Sequence, residues 1–382
     1  MIDVIIVGLG AMGSAAAHQL AQRGKRVVGL ERFTPAHDKG SSHGGSRMIR
    51  QAYFEDPAYV PILIRAYELW ERLERDTKTD LLRVTGGVMI GSPKSPLITG
   101  SIRSAREHQL PHEVLDCREV RRRFPPLIAA AGEVALYESR AGYLLPEECI
   151  RQQLSQAARY GADLHFEEPI ESWTAHERGE GVTVTTGKRT YQAQQLIISS
   201  GAWAPQLLAD LELPLVVTRQ VMFWLDPIGG IEPFLPDRFP VYLCASEHRY
   251  ILYGFPSIDG KNGGVKVAIH GSDEVCTPDS IDREVRETDV AEIRARLAAR
   301  LPALNGPLLK ARTCMYTMTP DENFVICKHP RYSAVTIAAG FSGHGFKMAS
   351  VVGEMLAELV TKGTTRHNIE LFSHRRFNTP QA

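Results

Sequence analysis

An α/β fold in two interleaved domains (α+β in its overall balance), one on a parallel sheet and one on a mostly antiparallel sheet, follows from three features of this 382-residue chain. Residues 1–31 hold an apolar strand, a glycine-rich turn, a small-residue helix and a second strand ending in an acid. Two long stretches, 82–143 and 216–319, carry β-rich runs divided by Gly and Pro. Short apolar strands return at 196–198 and 334–339, the second followed by a helical pattern. The length itself favours two domains, because single cores stop growing near ~250–300 residues. The expected division gives 1–82, 144–215 and 320–382 to the first domain, and 83–143 and 216–319 to the second.

Taken in order, residues 3–7 are a continuous apolar run suited to a strand buried on both faces. Gly8-Leu9-Gly10-Ala11-Met12-Gly13 then gives the GxGxxG spacing. Gly8 allows the tight turn, Gly10 lets backbone approach a pyrophosphate, and Gly13 permits close helix–strand packing. Ala11 and Met12 open a helix whose free N–H groups and partial positive charge suit a diphosphate. The next strand, 26–30, ends at Glu31, placed to accept hydrogen bonds from ribose hydroxyls, with Arg32 beside it as a further nucleotide contact. The pattern predicts a bound dinucleotide without separating NAD from FAD; Glu31 disfavours only a 2′-phosphate.

Val60, Leu63, Tyr67, Trp70 and Leu73 recur at helical spacing in 59–75, and helices are also expected at 148–160 and 282–301. Strands are expected at 85–90, 220–225, 250–255 and 264–270. Residues 195–203 return the chain to the first sheet, 334–339 is a last strand, and 348–361 a last helix with Val352, Met355, Leu356 and Leu359 on one face.

The 44 basic and 44 acidic side chains cancel and are spread evenly, which argues against nucleic acid or an anionic membrane as partner. Six cysteines at irregular spacing form no CxxC pair and no disulfide framework, so a reducing compartment and no metal site are expected. The apolar N-terminus lacks a basic leader and carries Asp3, and no run approaches the ~20 apolar residues of a membrane span. A soluble, cytoplasmic protein is the expectation.

Four further motifs carry a resemblance. Gly40-Ser41-Ser42-His43-Gly44-Gly45-Ser46-Arg47-Met48-Ile49-Arg50 is similar to the segment GSHHGDTRxIR. Tyr253-Gly254-Phe255-Pro256 is followed by Lys266 and His270, then come Cys314-Met315-Tyr316-Thr317 and Gly340-Phe341-Ser342-Gly343-His344-Gly345-Phe346-Lys347. In this order, over nearly the full length, the chain resembles the monomeric sarcosine oxidase and N-methyltryptophan oxidase family. Ser42 and Gly45 replace a His and an Asp of the commonest pattern, and Leu243-Cys244-Ala245 with the loop 246–249 also departs from it. These departures leave the identity of the substrate open.

The resemblance implies a Rossmann-type FAD-binding domain, a substrate domain facing the isoalloxazine, and a monomer. It makes Cys314, which alone would read as a small buried hydrophobe, the covalent attachment point for FAD through an 8α-S-cysteinyl bond. Ser41, His43, Arg47, Met315, Gly343, His344 and Gly345 become flavin contacts, with Arg47 favouring the thiolate and His43 beside it in the reacting region. Arg50 and Lys347 become a clamp for a substrate carboxylate, since a planar guanidinium binds carboxylates in bidentate fashion; Lys347 also faces the flavin. Lys266 takes the place where the family activates oxygen, and His270, on the same strand face, turns toward the amine. Tyr253 and Tyr316 line the pocket. The implied reaction is oxidation of a secondary amino acid, sarcosine or another N-methyl amino acid, by O2, giving an imine and hydrogen peroxide. The alternatives are a cyclic or glycated amino acid, such as pipecolate or a fructosyl amino acid, or an NAD-dependent dehydrogenase on the same glycine motif.

Overall fold

The computed structural model describes residues 1–176, 181–245, 250–260 and 262–377; the loop 246–249, whose sequence departs from the family, lies outside them. Strand Ile2–Val7 is the centre of the first sheet, paired in parallel with Val27–Leu30 on one side and Thr190–Ile198 on the other. Asp163–His165 and Val335–Ala339 extend the parallel core. Val182–Thr186 and Ile170–Ala175 add antiparallel strands to the first half of Thr190–Ile198.

Val4, Ile5 and Ile6 are at most 1% exposed, as a strand covered on both faces requires. Helix Ala11–Gln22 covers one face and packs against helices Pro146–Arg159 and Ala349–Lys362. Small residues let them approach: a Cβ on Gly353 would stand 2.6 Å from Ala15. Val60, Leu63, Tyr67, Trp70 and Leu73 all face the core from helix Val60–Thr77.

The second sheet runs in the order Leu308–Met318, Val216–Leu225, Val265–His270, Ile251–Gly254, Val241–Cys244, Gly87–Gly91, Val134–Glu138 and Glu113–Asp116. All its neighbours are antiparallel except Val241–Cys244 with Gly87–Gly91. A small third sheet joins Arg47–Ile49, Gly142–Leu144 and Leu82–Val84.

Two differences from the sequence reading have local causes. The stretch 82–143 also contains helices Pro96–Glu107 and Cys117–Arg123, each started by a side-chain cap. Ser95 accepts from the Ile98 N–H and Asp116 from the Glu119 N–H. The helix expected from 282 begins at Glu287, because Asp282 and Arg286 are used in a loop and the Asp289 carboxylate caps the Arg286 N–H. Among the described residues no helix is long and apolar enough to cross a membrane, and no cluster of His, Cys, Asp and Glu could hold a metal.

Candidate active site

A long cavity opens at the carboxyl end of the parallel strands, enclosing about 1490 Å³ of non-atom space with its mouth. Gly8, Gly10, Ala11, Met12, Glu31, Arg32, Ser41, Arg47, Met315, Gly343 and Gly345 all stand on its wall. The three motif glycines divide as their mechanics require. Gly8 has φ of +86°, and a Cβ on Gly13 would fall 1.8 Å from the Gly8 carbonyl oxygen. At Gly10 the nearest atom to a Cβ is Ser42 Oγ, 4.0 Å away, so protein packing does not need that glycine and open space is left beside it on the cavity wall. Gly13→Ala is expected to destabilise the fold by about 3 kcal/mol through overpacking. Gly10→Ala should leave the unfolding midpoint in urea nearly unchanged and lower FAD content.

The Glu31 carboxylate accepts the Leu9 N–H at 2.8 Å and the Phe33 N–H at 3.0 Å, fixing the acid at the end of its strand. Trp203 and Phe33 complete the far wall, with the Arg32 guanidinium about 5.5 Å from either ring. Glycine cradle, helix N-terminus, buried acid and aromatic wall fit an FAD molecule.

A second, smaller cavity adjoins the first, sharing Arg47, Tyr316, Gly343 and Phe346. Gly343 has φ of +77°, and the Tyr316 ring would lie 2.3 Å from a Cβ there, so only glycine admits this approach. Cys314, on strand Leu308–Met318, lines the second cavity, with its sulfur 3.8 Å from an Arg47 nitrogen. Arg47 is itself held by the carbonyls of Ser41 and Ser46.

Two buried cations, Arg50 and Lys347, also line this second cavity. Lys347 donates to the His344 carbonyl at 2.6 Å and to the Tyr53 hydroxyl at 3.4 Å. Burial, with Arg50 nearby, pulls the Lys347 ammonium down to about 7. His344 donates from Nε2 to the Glu322 carbonyl, an acceptor only, so its Nδ1 must accept the Tyr53 O–H at 2.5 Å. Arg50 reaches the cavity, but its guanidinium is already engaged: the Glu55 carboxylate takes it at 2.8 and 2.9 Å, and the Ala52 carbonyl at 2.9 Å. Burial raises the Glu55 carboxyl, but Arg50, His344 and Lys347 together outweigh it and hold the group below the usual range.

The same cavity is also lined by His270, Tyr253 and Tyr316. His270 Nδ1 lies 3.3 Å from the Tyr316 hydroxyl, and burial lowers the imidazole to about 4, so it is neutral. Burial raises both tyrosines, which stay protonated.

Lys266 and His43 stand outside both cavity walls. The Lys266 ammonium donates to the carbonyls of Gly44 and Ser46 at 2.8 Å each, between the rings of Phe255 (4.8 Å) and Trp224 (5.5 Å). Burial, then Arg47, lowers its pKa well below the ordinary lysine value. His43 is buried with Nε2 unpartnered, and burial takes it down to about 3. Glu55, Glu147 and Tyr53 are neighbours of these residues that no motif announced: Glu55 meets Arg50 through a loop five residues long, and the partners of Glu147 and Tyr53 lie on distant segments that only the folded chain joins.

The family described as FAD dependent oxidoreductase (DAO) matches residues 3–359. A protein named monomeric sarcosine oxidase from Streptomyces avermitilis is 53% identical over 375 residues, covering 98% of this chain and 97% of its own. One named N-methyl-L-tryptophan oxidase from Yersinia pestis is 30% identical over 377 residues, covering 98% and 99%. Among solved structures, L-proline dehydrogenase from P. horikoshii superposes with a TM-score of 0.85 at 24% identity, covering 99% of this chain and 98% of its own, a likeness of fold alone. The glycine motif that left NAD and FAD open is thereby resolved toward FAD, and the chain belongs to the DAO family of FAD dependent oxidoreductases, together with the monomeric sarcosine oxidases.

Proposed function

We propose that this protein is a flavin-dependent amine oxidase acting on N-methyl amino acids, using O2 and releasing hydrogen peroxide. One observation carries the reading: the FAD cavity shares a wall with a second cavity lined by two buried cations, Arg50 and Lys347. Such a lining suits a carboxylate, and the neutral His270–Tyr316 pair suits an uncharged amine rather than an ammonium. The flavin, when bound, supplies the two-electron acceptor and hands the electrons on to oxygen. The residues do the rest. Arg50 and Lys347 fix the carboxylate, His270 with Tyr253 and Tyr316 orients the amine, and Lys266 provides the charge that favours a nascent oxygen anion. The residues 1–82, 144–215 and 320–382 serve as the cofactor domain, and 83–143 with 216–319 as the substrate domain. One chain supplies both cavities, so a monomer suffices. A peroxide-release screen of N-methyl against cyclic amino acids tests the assignment; turnover of cyclic substrates alone would replace it.

The FAD is held covalently at Cys314. Cys314 would hold the flavin through a thioether at the ring methyl carbon, a bond whose formation leaves two electrons on the ring for O2, the acceptor of the proposed activity, to remove; the Arg47 guanidinium stands 3.8 Å from the sulfur. After acid precipitation the yellow colour should remain with the wild-type protein, and Cys314→Ala should release it to the supernatant. Colour leaving the wild-type pellet would sink the tether.

Binding of a carboxylate inhibitor should depend on pH through Lys347. The free group sits at about 7 and is charged below that. Affinity is therefore greatest below pH 7 and falls as pH rises, by up to about tenfold per unit, until the complex's own pKa is reached. Titration of the flavin absorbance with inhibitor at several pH values reads this out, and Lys347→Met should flatten the dependence.

A further inference from the structure

The Glu147 carboxylate stands at the start of helix Pro146–Arg159, where the helix field favours an anion. It grips the glycine loop that Lys266 lies behind. Oε1 accepts the Gly44 N–H at 2.6 Å and the Gly45 N–H at 3.1 Å, and Oε2 accepts Gly45 at 3.2 Å. Both glycines have positive φ, 102° and 76°, a conformation other residues rarely hold. On the carbonyl side of the same loop, the Lys266 ammonium takes Gly44 O, Ser46 O and, at 3.3 Å, Ser46 Oγ. The loop is held between a carboxylate on its amides and an ammonium on its carbonyls, and each polarises it for the other.

Lys266 needs such help. Among the described residues no carboxylate is within ion-pair distance of it. Arg47 and Lys310 oppose its charge, His43 beside it is neutral, and Cys314 and Glu147 favour it. A thioether sulfur carries no charge, so tethering the flavin through Cys314 leaves Glu147 as the anion in that group.

We propose that Glu147 is a positioning residue for the oxygen-reacting cation: by holding the Gly44 and Gly45 amides it sets the carbonyls that aim Lys266, and its charge supports the ammonium through the loop. The inference rests on the role proposed for Lys266. Its test uses the flavin-loaded enzyme in the variants Glu147→Gln, Glu147→Ala and Lys266→Met. Three quantities are read: anaerobic reduction by the amine, reoxidation by oxygen across pH, and hydrogen exchange of the 40–50 segment.

Glu147→Gln keeps an oxygen for the amides but removes the charge. Loop exchange should stay near wild type, while the alkaline fall of the reoxidation rate moves to lower pH by about one unit, a tenfold loss in that range. Glu147→Ala should raise loop exchange by about tenfold and slow reoxidation at every pH. A wild-type reoxidation profile in Glu147→Gln overturns the proposal. Equal losses in reduction and reoxidation also overturn it, since they would mark a general support of the fold. If Glu147→Ala fails to fold, the Gln variant still decides. Should Lys266→Met reoxidise normally, the parent role of Lys266 fails, and that outcome is distinct from failure of Glu147 alone.

Discussion

Replacing Lys266 by Met is expected to slow reaction of the reduced enzyme with oxygen by about a hundredfold or more, ~2.7 kcal/mol in the barrier. Electron transfer to O2 creates negative charge in a water-poor site, where a fixed ammonium stabilises it far more than in bulk water. Lys266 is suited to this because carbonyls and aromatic rings, rather than a carboxylate, surround it, so its charge is not cancelled at contact. Methionine preserves length and apolar contact, and anaerobic reduction by the amine should survive largely intact. The Gly44 and Ser46 carbonyls each lose one donor but keep another, the Ser46 N–H and the Arg47 guanidinium, so the cost is about 0.5–1.5 kcal/mol of stability and the unfolding midpoint should fall only slightly. Rapid mixing of pre-reduced enzyme with oxygenated buffer isolates the step. A wild-type rate there would remove Lys266 from the oxygen reaction.

Arg50→Ala should raise the apparent binding constant of a carboxylate substrate by about tenfold or more, ~1.4–3 kcal/mol for a charged hydrogen bond. An amine lacking the carboxylate should lose little. The ion pair with Glu55 adds a second expectation. Removing Arg50 leaves a buried carboxylate without its partner, which costs about 3–5 kcal/mol of stability. The double variant Arg50→Ala/Glu55→Gln should recover most of that stability without recovering substrate affinity. Recovery of both would show that Arg50 serves the fold through Glu55 and that the clamp is wrong. Comparing chemical denaturation with inhibitor binding separates the two.

The parts of this molecule legible in the sequence are those specified by contiguous patterns. Residues 2–31 carry the apolar run, glycine spacing and terminal acid of the nucleotide site within one segment. The buried stripe of helix Val60–Thr77 was readable from its 3.6-residue period. Helices Pro96–Glu107 and Cys117–Arg123 were not: the first signals itself only through Ser95-Pro96 and a narrow buried face inside a β-rich stretch, and the second is short and strongly charged, with Asp116 as its cap. In the site, Arg50 could be located by its motif, but not its pairing with Glu55 five residues on through a loop. The Glu147 grip joins segments 102 and 103 residues apart. Three-dimensional proximity of that kind leaves no period in the chain.

The walls of the FAD cavity come from residues as early as Val7 and as late as Phe346. A chain emerging from the ribosome therefore exposes the glycine cradle long before the far wall exists. A complete enclosure for the cofactor therefore needs the C-terminal part of the chain as well as the glycine cradle at its start.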